Sequence, residues 1–470
     1  MKINLVSKIV LVLLGVLLSI GCGKKAEDLA PDVDTDTGFS ESGSAVVPDK
    51  WWKALGDREL NKLIEQGLSK NFDLKTTWQR LKRARAVAKR EYSFLFPSLD
   101  AFADAQISGQ DSRVQESLQL GLNSEYEVDL WGKISSSLEA ERYRVNATKN
   151  EYQTAALSLS VEIARTWYRL SESRMRLEIV REQMRTNRKL VELLQRRFNS
   201  GQVRRADMLR QKSLLESTLE QEQTVQSRIG VLKHQLAVLL GTSPQKGLNY
   251  AGSGLPEIPP LPDTGIPAQL LRRRPDVRSA FNQLKAADRD LAAAISKQYP
   301  RITLTASLSS TEDDFNDIFQ NWARSFTGSL VAPLLDAGRR RAEVERTRAA
   351  RKQHLFEYGQ AILTSFQEVE DALVREKKQL ERIRSIREQL ELARKTHRQE
   401  RLEYYNGMGE YTDVLNALAE IQSLHRELVS ARLQRLEYRI ALYRALAGGF
   451  ETGREGIFKD ARYGSDENTR

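Results

Sequence analysis

Polar and apolar positions change rhythm along this chain, and the rhythm predicts the elements. Leu99, Ala101, Ala103, Ala105 and Ile107 alternate with Asp100, Asp104, Gln106 and Ser108, with Phe102 the exception. A period of two predicts a strand with one apolar face. Leu118, Leu120 and Leu122 alternate with Ser117, Gln119 and Asn123 in the same way. Far downstream, Ile302, Leu304, Ala306 and Leu308 alternate with Arg301, Thr303, Thr305 and Ser307, and Phe326 and Leu330 with Ser325, Thr327 and Ser329. The predicted strands are about 99–109, 117–128, 301–310 and 324–332.

The remainder has a helical period. Residues 133 to 200 contain neither Gly nor Pro, which allows one helix of roughly 100 Å at about 1.5 Å per residue. Its later half carries Leu177, Val180, Met184, Asn187, Val191, Leu194 and Phe198 at alternating spacings of three and four, the seam of a coiled coil. Val225, Ile229, Leu232, Leu236 and Leu239 continue the pattern on a return helix, as do Val429, Leu433, Leu436, Ile440, Tyr443 and Ala447 later. All of these are read as packing residues. Shorter helices are expected at roughly 73–95 and 206–240.

The same order occurs twice. Asn71-Phe72-Asp73-Leu74 and Arg274-Pro275-Asp276-Val277 are 203 residues apart, as are Phe96-Pro97 and Tyr299-Pro300. Beyond the strands the offset is 206, pairing Gly132 with Gly338, Tyr152 with Tyr358, Glu162 with Glu368, Gly201 with Gly407 and Asp207 with Asp413. The chain is a tandem duplication. The organisation that follows is a first repeat at 51–241, a linker at 242–269 holding half of the 12 prolines, a second repeat at 270–450 and a polar tail at 451–470.

Composition narrows the class. With 470 residues, two or three globular domains would be ordinary, but scarce proline favours long helices. A hydrophobic content of 40% argues against a polytopic helical membrane protein, and 29% charge of mixed sign argues against a disordered polyelectrolyte. The net charge of +10 carries little by itself. Runs such as Arg339-Arg340-Arg341 would suggest nucleic acid only in isolation, and an exported protein has no such partner to meet.

Export is what the N-terminus indicates. Lys2 and Lys8 precede an apolar run from Ile9 to Leu18 that is too short to span a bilayer, so residues 1–21 read as a signal peptide. Ser19-Ile20-Gly21-Cys22 places the only cysteine where a bacterial lipoprotein box would have it, making Cys22 the expected lipid anchor. Residues 22–50 then read as a lipidated N-terminus and polar tether, and Gly23 in place of Asp points to the outer membrane.

Strands with one apolar and one polar face are the signature of transmembrane barrel staves. Four cannot close a barrel, and open edges are not tolerated in lipid. Either copies of the chain complete a barrel, or two soluble hairpins pack on a core. Duplication, export and the lipid anchor together favour the barrel.

Seven ordered motifs then carry a family resemblance over residues 50 to 450. They are Trp51-Trp52 with Asn71-Phe72-Asp73-Leu74; Phe96-Pro97; Tyr126 to Lys133; Leu271 to Val277; Tyr299 to Ile302; Pro333 to Arg339; and Tyr404 to Ala417. The chain resembles the outer-membrane factors typified by TolC, and more closely their lipoprotein branch in efflux systems of the NodT and OprM kind. The resemblance implies a membrane β-barrel joined to a long α-helical barrel. A homotrimer would combine tandem strand-strand-helix-helix repeats into a 12-stranded barrel and a coiled-coil tunnel.

It also implies a passive exit channel for small molecules and drugs in the outer membrane of a Gram-negative bacterium, extending into the periplasm. The expected partners are a periplasmic adaptor (membrane fusion protein), an inner-membrane pump of the resistance-nodulation-division (RND) or ABC type, and outer-membrane lipid. A channel for type I protein secretion is one alternative. A lipid-anchored coiled-coil scaffold without a pore is the other.

Enzymatic chemistry and cofactors are not expected: His234, His354, His397 and His425 are scattered without metal-ligand spacing, and there is no second cysteine. Gly201 and Gly407 mark hairpin turns, where an adaptor would dock together with Arg204, Arg205 and Asp207. Asp207 and Asp413 each lie six residues after a turn glycine, where Asp is a favoured helix cap. The resemblance instead makes Asp413 and Asn416 constriction residues at the periplasmic mouth and Tyr404 an aromatic that helps hold it closed. The family commonly carries a polar or basic latch residue where this chain has Gly409, and Glu410, Arg204 and Arg205 are the available substitutes.

Overall fold

A computed structural model describes residues 31–454 apart from 32, 35–36, 47, 111–112, 247–253 and 314–316. The signal peptide, Cys22 and the tail beyond 454 lie outside the described residues. After a 3-10 turn at Trp51–Leu55 come α1 (Arg58–Lys70), α2 (Phe72–Ser93), β1 (Ser98–Gln110), β2 (Arg113–Val128), α3 (Lys133–Asn199) and α4 (Arg205–Leu239). The second half gives α5 (Pro267–Arg273), α6 (Pro275–Ser296), β3 (Arg301–Glu312), β4 (Ala323–Val331), α7 (Arg339–Tyr405) and α8 (Tyr411–Leu446). Tandem strand-strand-helix-helix repeats are therefore the architecture. Both long helices, α3 and α7, have 67 residues, about 100 Å each. Among the described residues no helix is long and apolar enough to cross a membrane.

The four strands form one antiparallel sheet in the order β1-β2-β3-β4. Register brings the separate alternations into phase. Ala101 opposes Leu122, Leu122 opposes Leu308, and Ala306 opposes Phe326. Directly opposed residues share a face, so the alternating apolar positions of the four strands fall on one side, while Phe102, Ala323 and Val331 lie on the other. Asp104 opposes Gln119, Asn123 opposes Ser307, and Ser307 opposes Ser325 on the other. Phe102 breaks the alternation because it opposes Gly121. A Cβ on Gly121 would come within 2.8 Å of the Phe102 ring and 2.7 Å of the Leu308 carbonyl oxygen, so the ring takes the room the glycine leaves. β1 and β4 each pair on one side only. The apolar face is bare, with Leu99, Ile107 and Phe326 at least 70% exposed.

The helices repeat that arrangement. α3 packs against α2 and α4 on one side and against α6 and α8 on the other, and α7 lies beyond α6 and α8. Short helices stacked end to end form one stave and a long helix the next, leaving α2/α4 and α7 as open edges. The main core gathers where α1, α2, α3, α4 and α8 meet, around Trp51, Trp52, Trp78, Tyr152 and Trp167. Asp57 fixes the entry: its Oδ1 accepts the backbone N–H groups of Glu59 and Leu60, and its Oδ2 accepts Trp167 Nε1 at 2.8 Å.

Two polar segments are more ordered than their sequence suggests. Within the expected tether, Ser40 bonds Glu370 through N at 2.8 Å and Oγ at 2.5 Å, Lys377 pairs with Glu41, and Phe39 meets Phe366 edge to face. Ala45 pairs with Pro262 of the linker in a short parallel bridge. The carbonyls of Pro259 and Pro260 accept Arg439, which is itself held by Glu376 at 2.7 and 2.8 Å. Residues 39–45 and 259–262 therefore form a strap across α7 and α8. The polar composition that suggests a loose chain is in fact used in pairing.

Candidate functional site: the hairpin tips and the strand-helix junction

The end of the molecule farthest from the sheet is made by two tight turns. Gly201 and Gly407 both take φ of +74°, a left-handed conformation that ends α3 and α7 without the strain a Cβ would bring. Gln202 N–H donates to Arg197 O at 2.8 Å and Met408 N–H to Glu403 O at 2.9 Å. The following helices start at Arg205 and Tyr411, so Arg204 and Glu410 occupy the cap positions and neither makes a side-chain cap bond. Asp207 and Asp413 are third residues of their helices. The capping role that sequence position suggested for them is not what the structure shows, because both helices begin three residues earlier than a cap at Asp would require.

The two aspartates also differ from each other. Asp207 is 3% exposed and lies between Arg204 at 3.2 Å and Arg210 at 3.5 Å. Hydrogen bonding to Asp207, followed by the Asp207 and Glu410 charges, holds the Arg204 proton more firmly than usual. Asp413 is exposed and has no side-chain partner among the described residues, and the same is true of Asn416 one turn later. Glu410 meets Arg204 at 3.6 Å, and Arg210 donates to Thr412 Oγ1 at 2.6 Å, so two links join one hairpin to the other. Tyr404 packs edge to face on Tyr411 at 5.5 Å, and Arg197 lies 5.7 Å from the centre of the Tyr405 ring. Arg205 is exposed and makes no link across the hairpins among the described residues.

Behind the tips lies a buried polar network that periodicity concealed. Asn187 occupies a seam position and is fully buried, but it hydrogen-bonds as well as packs. Its Nδ2 donates to Thr218 Oγ1 at 2.9 Å and to Gln422 Oε1 at 3.4 Å, and its Oδ1 accepts Gln422 Nε2 at 3.1 Å. Gln183 Nε2 donates to the Gln422 carbonyl at 3.0 Å, and Arg426 donates to Gln183 Oε1 at 2.6 Å. Toward the tip, Tyr411 Oη donates to Gln211 Oε1 at 2.7 Å. Burial, with lesser contributions from Tyr404 and Asp207, pushes the Tyr411 phenol well above its ordinary range, so it remains a donor. These residues come from α3, α4 and α8 and register the two hairpins against each other, as a single Asn at a seam position does in coiled coils. The sequence signal was the lone Asn in an apolar seam.

At the opposite end, strands become helices. Asp129 Oδ1 and Oδ2 accept the N–H groups of Ile134 and Ser135, each at 2.8 Å. Burial opposes its ionisation, but these backbone bonds outweigh burial and hold the carboxyl below its usual range. Trp131 of the first repeat stacks on Tyr299 of the second at 4.9 Å and donates to Pro300 O at 2.7 Å. The histidines serve the helix surface: His354 pairs with Glu357 and His425 with Arg394. No cluster suited to a metal ion occurs among the described residues.

An open-edged sheet with one lipid-compatible face, continued by open-edged helical staves, defines one wall segment of a membrane duct. Comparison with known proteins agrees. The family described as outer membrane efflux protein matches residues 63–242 and 266–448, and the chain belongs to it. It is 29% identical over 422 residues to the pyoverdine export outer membrane protein OpmQ of Pseudomonas aeruginosa, covering 87% of this chain and 89% of that protein. Identity is 27% over 409 residues with the toluene efflux pump outer membrane protein TtgI of Pseudomonas putida, covering 84% and 86%. Among solved structures, the outer-membrane channel OprN superposes with a TM-score of 0.83 at 29% identity, over 89% of this chain and 99% of that one.

Proposed function

We propose that this protein is the outer-membrane exit duct of a tripartite efflux system in a Gram-negative bacterium. It would be anchored by acylated Cys22 after removal of residues 1–21, and would assemble as a homotrimer. The observation that carries this reading is the sheet register, which gathers the alternating apolar positions on one face and leaves one edge of β1 and one edge of β4 without a partner strand among the described residues. In lipid those edges must be satisfied. β4 of one copy beside β1 of the next keeps the alternation antiparallel, and three copies give 12 strands. The same operation sets α7 of one copy against α2/α4 of the next and closes the helical tunnel.

The duct is passive. Relatives of similar identity are named for pyoverdine and for toluene, two different cargoes, so a shared exit path need not choose its cargo. Energy comes from an inner-membrane pump, and a periplasmic adaptor docks at the tips around Gly201, Gly407, Arg204, Arg205 and Asp207. The closed state is held by the Arg204–Glu410 and Arg210–Thr412 links, which take the place of a latch at Gly409. Asp413, Asn416 and Tyr404 form the mouth. Three Asp413 carboxylates around a threefold axis would hold cations and repel anions.

Purified trimers in planar bilayers test this. Asp413→Ala is expected to raise single-channel conductance and weaken cation block. Unchanged conductance and block would remove Asp413 from the gate, and stable trimers that never conduct would leave the coiled-coil scaffold as the reading.

A further inference from the structure

A cavity of about 540 Å³ lies where β2 and β4 end and β3, α3 and α7 begin. Its place relative to the bore follows from register. Glu127 opposes Thr303 and Arg301 opposes Val331, which puts these lining residues on the polar face of the sheet. The wall carboxylates are all engaged: Glu127 with Lys133 at 2.7 Å, Asp129 with two backbone N–H groups, and Glu343 with Arg346 at 2.8 Å. Arg340 is likewise held by Asp336 at 2.6 Å. Three lining cations remain. Among the described residues, Lys297, Arg301 and Arg339 make no side-chain hydrogen bond or ion pair, although Lys297 is close enough to Glu343 to add to its stabilisation. The Trp131–Tyr299 stack lines the same cavity, with Tyr299 37% exposed.

Unpaired cations beside spent carboxylates leave a local excess of positive charge, and a concave low-dielectric wall concentrates its field. Guanidinium groups suit carboxylate and phosphate oxygens, and an indole and phenol stack suits a flat apolar body. We infer that this cavity is an anion-binding station on the inner wall of the duct, taking small organic anions whose carboxylate or phosphate meets Lys297, Arg301 and Arg339 and whose ring lies on Trp131 and Tyr299. The inference rests on the reading of the polar face as the bore. Three protomers would place nine such cations in a collar between barrel and tunnel. The collar biases what lingers in the duct without closing it.

Bilayer recordings of the full-length trimer in neutral phosphatidylcholine, with phenyl phosphate as the probe, test this. Wild-type channels should show concentration-dependent block, and their reversal potential in a KCl gradient, set with the Asp413 ring present, is the reference for the variants. Lys297→Gln/Arg301→Gln/Arg339→Gln should weaken block by about tenfold or more, as loss of several charge-assisted contacts implies, and shift the reversal potential toward cations. Arg301→Gln alone should give an intermediate effect, and Trp131→Leu should weaken block by phenyl phosphate more than block by inorganic phosphate. Conducting channels whose block and selectivity are the same with and without the three cations would overturn the station and leave the duct intact. Trimers that do not conduct would overturn both. A cation-dependent effect seen only after phosphatidylglycerol is added would assign the site to a lipid headgroup and overturn its assignment to a solute.

Discussion

Replacing Asn187 with Leu separates a packing seam from a registering one. Leucine fills the seam position, so a pure packing residue would tolerate it or gain by it. In the structure, however, Gln422 loses the acceptor at 3.1 Å and the donor at 3.4 Å that Asn187 supplies. Thr218 keeps its own bond to the Leu214 carbonyl at 2.8 Å and is little affected. An orphaned buried amide group costs about 1–3 kcal/mol, and the longer contact counts toward the low end, so Asn187→Leu should destabilise by roughly 2–4 kcal/mol. Asn187→Leu/Gln422→Leu removes both partners and should recover to within about 1 kcal/mol of wild type. Denaturant unfolding followed by helical circular dichroism, run as a double-mutant cycle, reads the coupling directly. A cost below about 0.5 kcal/mol for the single variant, with additive effects in the cycle, would refute a registering network.

Three further outcomes follow from the same geometry. Gly121→Val should abolish the heat-modifiable barrel form on gels, because Leu308 O, Phe102 and Ser309 already stand within 3 Å of a Cβ there; Phe102→Ala in the same background should restore part of it. Asp129→Ala should cost about 0.5–2 kcal/mol by baring two N–H groups at the start of α3, measured as a lower thermal midpoint. Because the folded Asp129 carboxyl titrates below its ordinary value, its contribution is fully present above about pH 4 and is lost as pH falls through the folded value. The difference between wild type and Asp129→Ala should therefore shrink in acid, and a difference that grows would contradict this.

What could be read from sequence follows from where the physics is local. Strand alternation and the helical seams are short-range patterns, and together with the duplication, the export signal and the family resemblance they pointed to the barrel-and-tunnel class. Phe102 looked like a fault because its reason, Gly121, lies across the strand pair. Asn187 counted as a packing residue since its partners Thr218 and Gln422 are 31 and 235 residues away. The tip aspartates looked like caps because composition does not fix a helix start to within three residues. Residues 39–45 lacked any apolar period because their order comes from bonds to Glu370, Lys377 and the prolines of the linker.

The central claim, that links between the hairpins hold a duct closed at its tips, is tested most directly by cutting them from the second hairpin. Glu410→Gln/Thr412→Val removes the two exposed links but leaves the buried Tyr411–Gln211 bond, and Asp207 with Arg204 and Arg210, so both tips stay folded. Single-channel conductance of the purified trimer should rise above wild type in this variant. Conductance equal to wild type from correctly assembled trimers would contradict the claim.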